Sequence, residues 1–209
     1  MSLEDEGSSE APTVMASDYE PLFAPKKAPV DDLEAVRNIF AGAAAPFIRS
    51  PWSWAAWALL LPGAALATPT VLGRYGPFHV VIAWCLVIIL GGMVEMWVLR
   101  RGGGTERTTV AGWVLRSQAN LSFIAVAISA VLIWYRQPAV LAGVWLLVLG
   151  HSFLVLGGLA FRPFRRAGWI YQLAGIGALW PGQNSLGWFA AATALGNALI
   201  AIAVARRRE

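Results

Sequence analysis

The sequence predicts an all-α polytopic membrane protein: six transmembrane helices paired as three hairpins, both termini cytoplasmic, behind a disordered acidic N-terminal tail. Three observations carry that prediction. Six apolar runs, most of helical spanning length, alternate with short polar turns. The basic residues alternate between crowded and sparse turns. The acidic residues are almost all confined to one end.

The basic residues set the orientation. Lys26, Lys27, Arg37 and Arg49 precede the first run, and Arg74 alone follows it. Arg100, Arg101 and Arg107 follow the second, Arg136 alone the third, and Arg162, Arg165 and Arg166 the fourth. None follows the fifth, and Arg206, Arg207 and Arg208 follow the sixth. Short loops rich in Lys and Arg stay cytoplasmic, so the crowded turns lie inside and the sparse ones outside. Only Arg116, near the start of the third run, stands outside this pattern.

Composition excludes other classes. Hydrophobic residues make up 57% of the chain and charged ones 13%. Nine of the twelve acids lie within residues 1–34, so the tail is acidic while the remainder is strongly basic. The basic residues flank apolar runs instead of forming a patch interleaved with exposed aromatics, which argues against a nucleic-acid partner. The single cysteine, Cys85, rules out an internal disulfide and is expected to be a buried thiol. The first twenty residues are acidic and polar, not basic and then apolar, so the first span is expected to drive insertion itself. Fourteen Arg against two Lys, with abundant Ala, Gly and Trp, suggest a GC-rich bacterial genome, hence the bacterial inner membrane.

Along the chain, residues 1–30 mix acids with Ser, Ala and Pro without periodicity and read as a disordered cytoplasmic tail. Tyr19, Leu22 and Phe23 form its apolar cluster, a candidate docking motif. Residues 31–50 read as an interfacial amphipathic helix, with Asp31 and Glu34 at capping-box spacing and Leu33, Val36, Phe40 and Phe47 on one face. Trp52, Trp54 and Trp57 follow and suit a headgroup boundary.

Residues 51–209 form the six-helix bundle, with spans at about 52–72, 78–99, 110–135, 138–161, 167–181 and 186–205. A helix crosses ~30 Å of hydrocarbon in ~20 residues; the fifth run falls short of that, and rests on the turn at Pro181-Gly182 and the charge pattern. The outer turns Gly76-Pro77, Gln137-Pro138 and Trp180-Pro181-Gly182 are too short to hold an external domain.

The even-numbered spans carry Leu90-Gly91-Gly92, Leu156-Gly157-Gly158 and Leu195-Gly196-Asn197, each followed by an arginine cluster. In this spacing the chain resembles small bacterial membrane proteins of the acid-resistance HdeD type, which implies six spans built as hairpin repeats. The likeness carries over no function and no site residue.

Chemistry inside the spans is sparse. Gly143, Gly150 and Gly157 recur every seven residues, a stripe for close helix packing. Glu95, Gln172 and Asn197 each have small residues on their own face, so they are expected to point into the bundle. Arg116 and Asn120 share a face of the third span. Glu95, Arg116, Asn120 and Gln172 thus make a candidate polar layer near the inner leaflet, with Arg116 as counter-ion to Glu95. Read structurally it is an ion pair with amide partners; read functionally it lines a cavity for a solute, ion or proton.

His151 and Asn197 lie near mid-membrane, and His79 near the outer surface. The two histidines sit ~18 Å apart in depth, too far to ligate one haem together. His151 is expected to hydrogen-bond across a helix pair. No cofactor or metal is expected, the alternative being a haem or chlorin held singly by His151. A nucleophile elbow, a zinc-protease helix motif and a phosphate loop are all missing, and no lysine lies in a span.

These readings converge on a non-catalytic integral membrane protein, an accessory or regulatory subunit touching lipid and other membrane-protein subunits or itself. The alternatives are a small transporter or channel using the polar layer, and a haem- or chlorin-binding subunit.

Overall fold

The computed structural model describes residues 50–101, 109–159 and 161–207. The acidic tail with Tyr19, Leu22 and Phe23, and all but the last residue of the expected interfacial helix, lie outside the described residues.

Among those described, the chain is all-helical. Six helices run in order: α1 (Pro51–Tyr75), α2 (Pro77–Arg101), α3 (Thr109–Trp134), α4 (Leu141–Leu159), α5 (Arg162–Leu179) and α6 (Ser185–Ala205), with a 3₁₀ turn at Pro138–Val140 before α4. Five of them, all but α5, contain a stretch long and apolar enough to cross a membrane. The fifth expected span, 167–181, is the greater part of α5, which begins earlier, at Arg162. Its early arginines, Arg162, Arg165 and Arg166, make α5 less apolar than the other five helices.

Local chemistry explains the boundaries. Ser50 caps α1 by accepting the Trp52 N–H at 3.3 Å, and Pro51 sits in the first turn, where a missing N–H costs nothing. Pro62 and Pro69 remain inside α1, as apolar spanning helices tolerate. Each turn between the two helices of a sequential pair combines a proline with one residue at positive φ: Gly76 (84°), Arg136 (56°) and Gly182 (76°). Gly76 and Gly182 take that conformation without strain, whereas Arg136 does so with a Cβ present. Asn184 caps α6 by accepting the Gly187 N–H at 2.9 Å.

Packing is uneven. The closest helix pairs are α4 with α5 and α1 with α6, followed by α5 with α6 and α1 with α2. α3 touches mainly α4 and the 3₁₀ turn, and only lightly. α2 and α3, though consecutive, make at most marginal contact.

The core therefore sits among α1, α4, α5 and α6, with Leu146, Phe161, Phe164, Tyr171, Ile200 and Val204 essentially inaccessible. α5 supplies much of it through a small-residue face of Ala167, Gly168, Ala174, Gly175 and Ala178 around Tyr171. An aromatic cluster gathers where α1, α4 and α5 meet. Trp54 lies 5.4 Å from Phe164 and 5.7 Å from Phe153, and Phe153 lies 5.3 Å from Tyr171. Arg207, just past α6, stacks its guanidinium 4.4 Å over Phe161.

Two expectations need correcting here. Trp54 is a core residue, because its α1 position faces Phe153 and Phe164, not the headgroups. Cys85 is exposed, because among the described residues α2 packs chiefly on α1, with Trp84 also reaching Phe189 of α6, and its other side is bare. That bare surface is apolar: Val81, Leu86, Ile88, Ile89 and Met93 all stand outward, as lipid contact requires.

Candidate functional site

The six helices could present a function in two ways: a polar interior, or a surface that marks a contact. Each polar residue within the helices bears on that choice by its neighbours.

Glu95 meets α1. Trp57 Nε1 donates to its Oε1 at 3.0 Å, and the Trp57 ring lies over Gly91, one turn along α2. Glycine at 91 is what lets the indole lie flat on the helix; any side chain there would collide with it. The carboxylate is half-buried, and its remaining acceptor capacity is unused among the described residues.

Gln172 meets α4. Its Nε2 donates to the Leu147 carbonyl at 2.9 Å, a main-chain group otherwise committed to its own helix. This bond sits within a reciprocal zipper. A Cβ on Gly143 would meet Leu179 at 2.6 Å, one on Gly175 would meet Leu147 at 2.9 Å, and one on Gly150 would meet Gln172 at 2.9 Å. A Cβ on Gly168 would meet Leu154 at 2.8 Å, and Gly157 abuts the backbone of Arg165. The glycines of α4 receive the larger side chains and backbone of α5, and those of α5 receive the leucines of α4. Close approach of this kind gains dispersion energy between two helices, because small residues let their backbones come near. Gly143, Gly150 and Gly157 thus all lie against α5, on one line.

Asn197 is 2% exposed, and its Nδ2 has no hydrogen-bond partner among the described residues. Thr193, one turn earlier, is fully buried and returns its hydroxyl to its own helix at Phe189 O, 2.7 Å away. Between them Gly196 accepts the Tyr171 ring, where an added Cβ would stand 2.7 Å from Cε2.

Arg116 and Asn120 are exposed on α3, as is His151 on α4. Among the described residues no ion pair joins Glu95 to Arg116, because the helices that carry them do not pack together. The expected layer of Glu95, Arg116, Asn120 and Gln172 does not converge: Glu95 turns to α1, Gln172 to α4, and the other two outward. Among the described residues the expected hydrogen bond from His151 across a helix pair is not formed either, and His151 itself is exposed. A groove of about 390 Å³ between α1 and α2 is lined by Trp52, Ala55, Ala56, Leu59, Val94 and Trp97, all apolar.

One set of positions escaped the sequence analysis. Pro77, Pro138 and Pro181 are each followed seven residues later by a tryptophan: Trp84, Trp145 and Trp188. Nine residues before each proline stand Thr68, Ser129 and Gln172. The first two sets use one device. Trp84 Nε1 donates to Thr68 Oγ1 at 3.1 Å, and Trp145 Nε1 to Ser129 Oγ at 3.0 Å. Each hydroxyl in turn donates a hydrogen bond to the carbonyl four residues back, Ala64 and Ala125, at 2.7 Å. In the third set the partner residue is Gln172, which turns to α4, and Trp188 packs instead on Gly177. The signal was a fixed distance from the turn prolines, which mark where an antiparallel pair begins and so which residues face each other.

Trp84→Phe should lower thermal stability by about 0.6–1 kcal/mol, the range for hydrogen bonds between membrane helices. Thr68→Val should cost the same, and the double variant little more, because both remove one bond. Additive losses in a detergent melting series would contradict that pairing.

Among the described residues these polar side chains do not gather into a common chamber. Arg116 and Asn120 stand exposed one turn apart on α3. Comparison with known proteins brings no family to this surface: no family model, curated protein or solved structure matches the chain.

Proposed function

We propose that this chain is a six-span protein of the bacterial inner membrane, built as three helical hairpins with both termini cytoplasmic. It serves as a non-catalytic accessory or regulatory subunit of a membrane assembly. The arginine alternation supports the orientation. Support for α5 as the fifth of the six crossings comes from its antiparallel run along α4 and from its outward face beyond Arg166, which is Trp169, Leu173 and Ile176.

The observation that carries the functional reading is how the polar side chains divide. Glu95, Gln172 and Thr193 are taken up by helix packing, whereas Arg116 and Asn120 face outward from the most loosely held helix. A permeation route needs polar groups that converge, and a subunit needs faces left for a neighbour; this division favours the subunit.

Two experiments test the proposal. Topology reporters fused after Arg74, Arg136 and Asn184 should behave as external, and those after Gly103, Arg165 and Glu209 as cytoplasmic. An external C-terminus would refute the six-span reading. Purification in mild detergent should retain another membrane protein in fixed proportion. Deleting residues 2–28 should leave insertion intact and weaken that retention at least threefold, with Leu22→Ala/Phe23→Ala reproducing part of the loss. Flux through proteoliposomes abolished by Glu95→Gln would instead support a transporter.

A further inference from the structure

α5 has two sides of opposite character. Gly168, Tyr171 and Gly175 are buried on the side packed into the bundle. The other side carries, in order, Arg162, Arg165, Arg166, Trp169, Leu173 and Ile176, whose spacing keeps them on one face of the helix. The three arginines are exposed, and each of the three apolar side chains is more than half exposed. The stripe therefore changes along its length, from positive charge through an indole to hydrocarbon.

Packing holds the charged end in place. The backbone of Arg165 abuts Gly157 of α4. Arg207, just past α6, stacks its guanidinium 4.4 Å over the ring of Phe161, the residue before α5, and so brings a fourth positive group to this end. Against these four, the sole acid among the described residues is Glu95 on α2, whose Oε1 accepts from Trp57. Like charges three and four residues apart on a helix repel. This end of α5 thus calls for an anion, and the stripe that runs on from it calls for hydrocarbon.

We propose that this face of α5 binds an anionic glycerophospholipid. The phosphate sits among Arg162, Arg165, Arg166 and Arg207, and one acyl chain lies along Trp169, Leu173 and Ile176. Guanidinium groups bind phosphate oxygens through bidentate, charge-assisted hydrogen bonds. Trp169, one turn beyond the arginines, stands where headgroup gives way to hydrocarbon, a place that suits an indole. From Arg166 to Ile176 the stripe runs ~15 Å, half of the ~30 Å hydrocarbon core and so the depth of one leaflet. A soluble anion would leave the apolar stripe unmatched, and the ammonium of a zwitterionic headgroup would be repelled by the arginines. Basic residues beside spanning helices select anionic lipid in this way. The inference rests on α5 being a membrane crossing and does not need the subunit reading.

Native mass spectrometry of the full chain tests it, with the protein released from nanodiscs of equal parts phosphatidylcholine and phosphatidylglycerol. The chain should retain phosphatidylglycerol in preference. Arg162→Gln/Arg165→Gln/Arg166→Gln should lower the retained fraction at least fivefold, whereas Arg100→Gln/Arg101→Gln, at the other arginine cluster, should leave it unchanged. Equal losses from both sets would overturn the site in favour of diffuse attraction to basic ends. Retention that appears only after residues 2–28 are deleted would overturn it too, because the acidic segment would then hold the arginines in the intact chain. A chain that keeps no phosphatidylglycerol, but loses a protein partner on the same triple substitution, would overturn it in favour of a protein contact.

A second measurement leaves the arginines untouched. In the same nanodiscs, acyl-chain bromine carried by phosphatidylglycerol alone should quench tryptophan fluorescence more than bromine carried by phosphatidylcholine alone. Trp169→Phe should abolish that excess, and equal quenching by the two lipids would overturn the proposal. Nanodiscs present both leaflets, so these results stand apart from the orientation of the chain, which the reporter fused after Arg165 decides.

Discussion

Gly168→Leu is expected to lower the melting temperature of the purified protein by about 6–12 °C, the equivalent of about 3 kcal/mol for a chain of this size. At Gly168 an added Cβ would stand 2.8 Å from the Leu154 nitrogen and 3.0 Å from the Gly150 carbonyl oxygen. Both are backbone atoms, so relief requires α4 and α5 to move apart. Separation would also undo the Gln172 bond to Leu147 and the reciprocal seating of Leu147 against Gly175. Gly150→Leu should do comparable damage from the other side, where Gln172 and Gly168 stand at 2.9 and 3.0 Å. Gly92→Leu is the control, because nothing lies within 4 Å of its Cβ position. Leucine also gains up to ~1 kcal/mol of helix propensity over glycine, so Gly92→Leu should be neutral or slightly stabilising. Equal melting temperatures for Gly168→Leu and Gly92→Leu would refute the zipper.

Trp57→Ala is expected to cost about 3 kcal/mol, the lower end for truncating a large aromatic side chain, since Trp57 is only half-buried. It empties the space over Gly91 and leaves the Glu95 carboxylate without its indole donor. Trp57→Phe separates these effects. It keeps most of the ring and removes the N–H, and a hydrogen bond to a charged group accounts for about 1.5–3 kcal/mol. Adding Glu95→Leu to Trp57→Phe should recover most of that loss, since the stranded group is then gone. If Glu95→Leu fails to rescue Trp57→Phe in detergent melts, the carboxylate draws its support from elsewhere.

The legible and illegible parts of this protein divide along a physical line. Apolar length and the placement of arginines act locally: each run either suits hydrocarbon or does not. The all-helical class and the apolar helices of α1, α2, α3, α4 and α6 could therefore be read directly. Helix faces made of small residues were legible too, since Gly143, Gly150 and Gly157 can share a line only by helical geometry, and all three meet α5. Gln172, flanked by Gly168 and Gly175, was legible for the same reason.

Partnership was not. Glu95 and Arg116 have opposite charge and matching depth, and from sequence they read as a pair. Depth and charge say nothing about which helices are neighbours, and here α2 turns to α1 while α3 turns to α4. Glu95 consequently took an indole on α1, which no charge argument would single out, although the contact over Gly91 was half written in the glycine. His151 and Cys85 were assigned interior roles because apolar neighbours on a helix suggest burial. In a membrane the same neighbours suit lipid equally well, so apolar context cannot separate inside from outside. Composition and charge order determined that these helices form and where polar turns interrupt them. Only the tertiary structure decided which helices touch, because in hydrocarbon that choice rests on the fit of glycine against leucine, indole and backbone, a property of two surfaces together.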